Sequence, residues 1–270
     1  CELAGRVARL VQRRTGAPFC VTPRGRDLRT RDPDTYGQVR DVLHAARHVV
    51  LFDESWLHAL EAAFPVRVGE SPLRLRVLRR GVDLELFKPV PRQERGSAAA
   101  ALGSKSPLTP RLAGIAWERA CVVLCVQYGG DTAGFAQFLF AVPELLRQQP
   151  MLQVIVVHAG PAPSAAGRLQ AALAGGKPEF LAGVLQESEL YQPLLDHLER
   201  LHSQGRSRAW WETAARLEPE HRVRDMGEVS REDFARLLPL ADLVVLPGLH
   251  RRCTSQLPYE ALAAGVLTVA

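Results

Sequence analysis

From residue 120 onward the chain alternates between short apolar runs and longer segments whose apolar residues recur every three or four positions. ACVVLCVQY, MLQVIVVH and ADLVVLPG read as strands, and the segments between them read as amphipathic helices. The pattern predicts strand 120–127, helix 134–149, strand 152–158 and helix 164–174. It resumes with strand 222–226, helix 230–238, strand 242–246, helix 255–264 and strand 266–270. Short apolar strands alternating with helices make parallel β-α-β units and a doubly wound sheet.

The first third carries the same rhythm in a shorter form. Residues 5–15 have helical spacing, and PFCVTPRGRDL reads as a short buried strand ending in a glycine-containing loop. In QVRDVLHAARH, Val39, Val42, Leu43 and Ala46 fall on one helical face. HVVLFDES is a strand that stops at Asp53, and Ser55 is placed to cap the helix WLHALEAAF. LRLRVLRRGVDL alternates in its first half and ends in GVDLELFKPVPR, where two prolines stop regular structure. The stretch 93–112, rich in Ser, Gly, Ala and Pro, has the composition of a linker or surface insertion. The expected organisation is therefore a domain over 1–92, a linker or insertion over 93–115 and a second domain over 116–270. Residues 176–220 interrupt the second domain with two expected helices joined at SQGRS, which Trp210 and Trp211 dock on the body as a lid or a surface hairpin.

Composition narrows the function classes. A chain of 270 residues with 47% apolar content builds a sizeable core. The net charge of +5 comes from basic residues scattered among acidic ones, without the Lys/Arg block interleaved with aromatics that nucleic-acid modules use. A mildly positive surface suits phosphate-bearing ligands. The five cysteines (Cys1, Cys20, Cys121, Cys125 and Cys253) show no metal-ligand pairing and no even framework. Cys121 and Cys125 lie four apart on a strand, on one face, and read as buried thiols of a cytoplasmic protein. No apolar run approaches the roughly 20 residues that span a bilayer, so no transmembrane segment is expected. The opening CELAGRVARL lacks Met, is no signal peptide and reads as the start of a fragment.

Candidate chemistry gathers near the end. In an open α/β sheet, ligands bind beyond the carboxyl ends of the strands, where helix N-termini aim free N–H groups. The strand LADLVVLP is followed by GLHRRCTSQ and a helix beginning near Ser255. Thr254 and Ser255 are good capping residues whose amides suit a diphosphate. Glu260, about a turn and a half into that helix, either faces ligand hydroxyls or merely complements the helix dipole. Elsewhere the signals are weaker. His44 and His48 are four apart on an expected helix, but no HExxH pattern accompanies them. His158 ends a strand, as a ligand contact or a satisfied strand-end histidine. YGGDTAG is a glycine-rich turn without the spacing of a P-loop or a dinucleotide fingerprint.

Three stretches in order resemble the retaining GT-B glycosyltransferases (the glycosyl transferases group 1 family). RRGVDLELFKPVP is similar to the asparagine-glycine-valine-aspartate loop that ends that family's first domain. VRDMGEVSREDFARLLPLADLVVLPG is similar to its run around a hydrophobic-Gly-x-Val turn and an Ala-Asp-hydrophobic-Pro strand end. TSQLPYEALAAGVLTVA resembles its acidic donor-site motif, in which one Glu lies eight residues before a second. The nearest likeness is to glycosyltransferase 1 domain-containing proteins, through PRGRDL and the segment 36–65.

The resemblance implies two Rossmann-like doubly wound domains, the first truncated here, and retaining transfer of a sugar from a UDP- or GDP-linked donor to an unknown acceptor. It implies no resident cofactor and no metal. Glu260 matches the second Glu, which holds the ribose. The turn Gly227–Val229 packs on the base, the amides of Thr254 and Ser255 hold phosphate, and Gly25 and Asp27 match a loop facing the acceptor-side cleft. Departures are equally specific. Arg252 stands where the first Glu belongs; Gln127 and Tyr128 stand at a Gly-Arg pair, and Ala133 and Gly134 at a Lys-Gly pair. The Arg and Lys normally neutralise the departing diphosphate, a role Tyr and Ala cannot copy. Either Arg251 and Arg252 supply that charge from another direction, or the fold survives as a catalytically inactive binding or structural module.

Overall fold

The computed structural model describes residues 2–23, 32–65, 72–79, 81–102, 108–128, 132–159, 192–208, 210, 212, 222–247 and 256–269. The chain divides into two compact units, Cys1–Gly81 and Val82–Ala270.

The smaller unit is a parallel sheet in the order β1 (Cys20–Val21), β2 (His48–Leu51), β3 (Leu75–Val77). It is accompanied by α1 (Glu2–Thr15), α2 (Pro33–Ala45) and α3 (Ser55–Ala63). The stripe expected on α2 is the core: Val39, Val42 and Leu43 are buried with Val49 and Leu51 of β2 and Leu60 of α3. Asp32 caps α2 by accepting the Thr35 N–H at 2.8 Å. A Cβ at Gly5 of α1 would lie 2.6 Å from Cγ1 of Val42, so the two helices can approach this closely only because residue 5 has no side chain. Two local expectations change. Ser55 is the first residue of α3 rather than its cap, a position held by Glu54 without a side-chain bond. Helix α2 ends at Ala45 and His48 opens β2, so the two histidines never share a helical face.

The larger unit is a five-stranded sheet, parallel throughout, in the order β6-β5-β4-β7-β8. These strands are β4 (Cys121–Tyr128), β5 (Leu152–Ala159), β6 (Val223–Glu228), β7 (Leu243–Val245) and β8 (Leu267–Val269). The chain enters at the centre, runs outward through β6, then returns to the other side of β4; that reversal is the switch point of a doubly wound sheet. The run CVVLCVQY is apolar because it is covered on both faces. Val122, Leu124 and Val126 join one core, Val123 and Cys125 the other. On the first face lie α4 (Arg95–Ala100), α5 (Thr109–Leu112), α8 (Arg231–Leu237) and α9 (Leu257–Ala263), contributing Ala99, Leu112, Ala235 and Ala261. On the second lie α6 (Thr132–Gln148) and α7 (Gln192–Ser203), contributing Phe135, Leu139, Leu146 and Leu194.

The described part of 93–115 is not a linker. Ala99, Leu102, Leu108, Leu112 and Ile115 are buried in the core of the larger unit, and the units divide before this segment, at Gly81/Val82. An alanine run forms helix readily and packs closely; here Arg95 anchors it, donating from Nη1 to Asp242 Oδ1 at 2.7 Å and from Nη2 to the Ala241 carbonyl at 3.1 Å. Within 176–220, α7 is followed by a turn at Gly205, as SQGRS suggests. Trp210 stacks on Phe140 of α6, ring centroids 5.8 Å apart, which docks this segment as expected. Trp211 and the helix expected over 164–174 lie outside the described residues.

Candidate functional site

The carboxyl ends of β4 and β5, the turn after β6 and the first turns of α8 and α9 line an open cavity of about 260 Å³. Its walls are apolar: Val126, Val157, Val229, Phe234 and Leu257. Four polar side chains interrupt them, His158, Arg231, Gln256 and Glu260. This is the place that strand order assigns to a ligand.

Helix α9 begins at Leu257, later than the capping residues suggested, so Glu260 sits within its first turn. Its side chain is 4% exposed. A buried carboxylate needs a partner, and Glu260 Oε1 accepts from Arg231 Nη2 at 2.7 Å. The helix N-terminus adds favourable dipole, but the dipole alone does not explain a cation brought from another helix. Arg231 is the first residue of α8, where that helix's own dipole disfavours positive charge. It is held instead by Glu260 and by the Phe87 ring, whose centroid is 5.4 Å from the guanidinium carbon. Phe87 lies in the GVDLELF loop, folded by Asp83, whose Oδ1 accepts the Glu85 and Leu86 N–H groups at 3.0 and 3.1 Å.

A second polar pair stands at the edge of the cavity. Between Val156↔Asp225 and His158↔Glu228, β6 carries one residue more than β5, a β-bulge centred on Gly227 at φ +68°. The bulge aims Asp225 at the neighbouring strand. Its Oδ1 accepts the Gly227 N–H at 2.7 Å and lies 3.0 Å from His158 Nε2. Burial pushes the Asp225 carboxyl up, but the hydrogen bonds from His158 and Gly227 and the charge of Arg111 outweigh it and leave the group below the ordinary carboxylate range. Outside the bulge, Arg111 Nη1 donates to the Asp225 carbonyl at 2.8 Å, and Arg224 Nη1 donates to the carbonyls of Arg111 and Ala113. A Cβ at Gly227 would meet only Arg111 Nη1, at 3.7 Å, so the position is restricted by its dihedral and not by space. Gly227→Ala is expected to lower stability by about 1–2 kcal/mol, read as an earlier midpoint in urea with an unchanged slope.

Of the residues singled out in the sequence, Glu260, Val229 and His158 line the cavity, and Gly227 forms the bulge beside it. The backbone of Tyr128 pairs with Ala159 at the end of β4. The Tyr128 side chain and Gly25, Asp27, Arg252, Thr254 and Ser255 lie outside what is described. Sequence reasoning missed Arg231, Asp225, Phe234 and Gln256; the one local signal was an arginine directly after the capping Ser230, whose Oγ accepts the Asp233 N–H at 3.0 Å. Gln127 is buried, and its amide has no hydrogen-bond partner among the described residues. Burial raises the thiols of Cys121 and Cys125 above the ordinary cysteine range, which keeps them protonated and inert. Among the described residues no helix is long and apolar enough to cross a membrane.

No family model matches the chain, and no curated protein matches its sequence. Solved structures do match. The chain is similar to Anabaena HepE, solved in complex with UDP and glucose, at 16% identity and a TM-score of 0.59, over 100% of this chain and 57% of that one. It is similar to sucrose-phosphate synthase from Thermosynechococcus elongatus at 16% identity and a TM-score of 0.58, over 98% and 53%. A UDP-forming trehalose-phosphate synthase from Burkholderia xenovorans matches at 12% identity and a TM-score of 0.53, over 96% and 54%. The chain thus spans little more than half the length of these structures. With a parallel sheet in each of its two units, the chain has the α/β fold of the GT-B glycosyltransferases.

Proposed function

We propose that this chain is the greater part of a cytoplasmic glycosyltransferase that takes a sugar, with retention, from a nucleotide-diphosphate donor. The observation that carries the reading is the buried carboxylate of Glu260, set at a helix N-terminus on the wall of a mostly apolar cavity at the carboxyl ends of the strands. A carboxylate offers about four lone-pair sites, so Glu260 can keep Arg231 on Oε1 and still accept a ribose hydroxyl. The apolar walls take the faces of a base, with Val229 against it. Thr254 and Ser255 receive the diphosphate on their amides, Arg252 neutralises it, and Gly25 and Asp27 face the acceptor. The titratable groups of the cavity hold and orient the donor, and the reaction so read draws on no resident cofactor or metal. UDP and its sugar esters are the first donors to try, because HepE was solved with UDP and glucose.

The test is calorimetric titration of the full-length protein with UDP and with GDP, repeated on Glu260→Ala. Micromolar binding of one nucleotide, weakened at least tenfold in the variant, is the expected result. Binding of neither overturns the donor reading. It would favour the inactive binding module, for which the prior engagement of Glu260 by Arg231 already speaks.

A further inference from the structure

We propose that His158, positioned by Asp225, determines which base the cavity accepts: its Nδ1 takes a hydrogen bond from the ring N–H of a uracil-type base. The inference rests on the donor reading above. The chemistry of the pair fixes the direction of the bond. An ionised carboxylate only accepts, so His158 Nε2, 3.0 Å from Asp225 Oδ1, carries its proton there. In the neutral ring the other nitrogen, Nδ1, is then a bare acceptor. The ring is 4% exposed, edge-on to Phe135 with centroids 6.3 Å apart, and bonded to Asp225, contacts that favour this one orientation. Nδ1 is buried and has no hydrogen-bond partner among the described residues. A buried acceptor left unmet costs free energy, and a ligand N–H removes that cost.

The remaining cavity walls say what kind of ligand brings the N–H. The side chains of Val126, Val157 and Val229 are apolar and carry no donor or acceptor, suited to the faces of a heterocycle and silent about its edge. Arg231, Glu260 and Gln256, the residue immediately before α9, form the polar part of the lining at the two helix starts, suited to the sugar side of a nucleoside. The edge is therefore read by His158. Uracil presents a ring N–H; cytosine presents a bare ring nitrogen in its place, acceptor against acceptor.

Titration of the full-length protein and its variants with UDP, CDP and N3-methyl-UDP tests this. The wild type is expected to bind UDP at least tenfold tighter than either analogue. His158→Gln keeps an amide within reach of Asp225 but removes the Nδ1 acceptor, so UDP should weaken at least tenfold while CDP and N3-methyl-UDP hardly change. His158→Asn returns an amide oxygen near the Nδ1 position and should restore part of the preference. A merely structural histidine would instead weaken all three nucleotides alike, and that outcome overturns the proposal. An unchanged UDP-to-CDP ratio in His158→Gln does the same while leaving the donor site standing. If the wild type binds no nucleotide, the donor reading fails first and this one falls with it.

Discussion

Asp242→Ala is expected to lower the unfolding free energy of the larger unit by about 3 kcal/mol. Three bonds converge on this carboxylate's corner of the fold. Asp242 Oδ2 accepts the Val122 N–H at 2.8 Å, Oδ1 accepts from Arg95 Nη1 at 2.7 Å, and the Asp242 N–H donates to the Val122 carbonyl at 2.8 Å. The first two tie the beginnings of β4, the central strand, and of β7 beside it to helix α4. Removing the carboxylate leaves the Arg95 guanidinium, whose side chain is 11% exposed, without its counter-charge, and leaves a strand N–H unmet. Arg95 retains the Ala241 carbonyl, and Asp242 is itself one-quarter exposed; both keep the cost at the lower end of what breaking a buried pair entails. The measurement is urea unfolding followed by tryptophan fluorescence in a Trp56→Phe background, so that Trp117, Trp210 and Trp211 report on the larger unit. Asp242→Asn, which keeps an acceptor for Val122, should cost less. Adding Arg95→Met to the alanine variant should recover part of the loss. A loss below about 1 kcal/mol for Asp242→Ala would mean that the corner is held by packing alone.

How much of this was legible beforehand depends on the distance over which each signal acts. CVVLCVQY and LQVIVVHA announce buried strands because a strand covered on both faces is apolar at most of its positions, and that shows in the run itself. The stripe Val39, Val42, Leu43 announces the buried face of α2 for the same local reason. Glu260 was legible because its neighbours, the end of a strand and the start of a helix, are near it in sequence. Its partner Arg231 is 29 residues away, the partner of His158 is 67 away, and that of Arg95 is 147 away. No local pattern marks pairs made by the order of strands in a sheet. The segment 93–115 was misread for a different reason. Ser, Gly, Ala and Pro make a linker when they are solvated, yet alanines every third or fourth position make a tight helix face when something apolar lies opposite. Here Ala99 and Leu102 find the core of the larger unit. The end of β6 was placed too early because the bulge at Gly227 extends the strand past a residue that ordinarily breaks it.

The pair at the cavity should be asymmetric in a way that separates its structural from its binding role. Arg231→Ala is expected to cost about 2–3 kcal/mol of stability and Glu260→Ala less than about 1 kcal/mol, although both delete the same 2.7 Å bond. The two side chains differ in what each is left with. Glu260, 4% exposed, would keep a charge out of water with, among the described residues, the dipole of α9 left to balance it, a compensation of about 0.3–1 kcal/mol. Arg231, 58% exposed, would turn its guanidinium to solvent and keep its stacking on Phe87. Because the penalty of Arg231→Ala is an orphaned carboxylate, the double variant should be more stable than Arg231→Ala alone, a non-additivity that a double-mutant cycle measures directly. Nucleotide affinity should follow the opposite order. Arg231→Ala keeps the carboxylate that is proposed to accept the ribose hydroxyl, whereas Glu260→Ala, nearly as stable as the wild type, loses it. Additive stabilities, or a Glu260→Ala protein less stable than Arg231→Ala, would show that the carboxylate is not held out of water by this fold, and the case for Glu260 as the centre of the donor site would lose its physical basis.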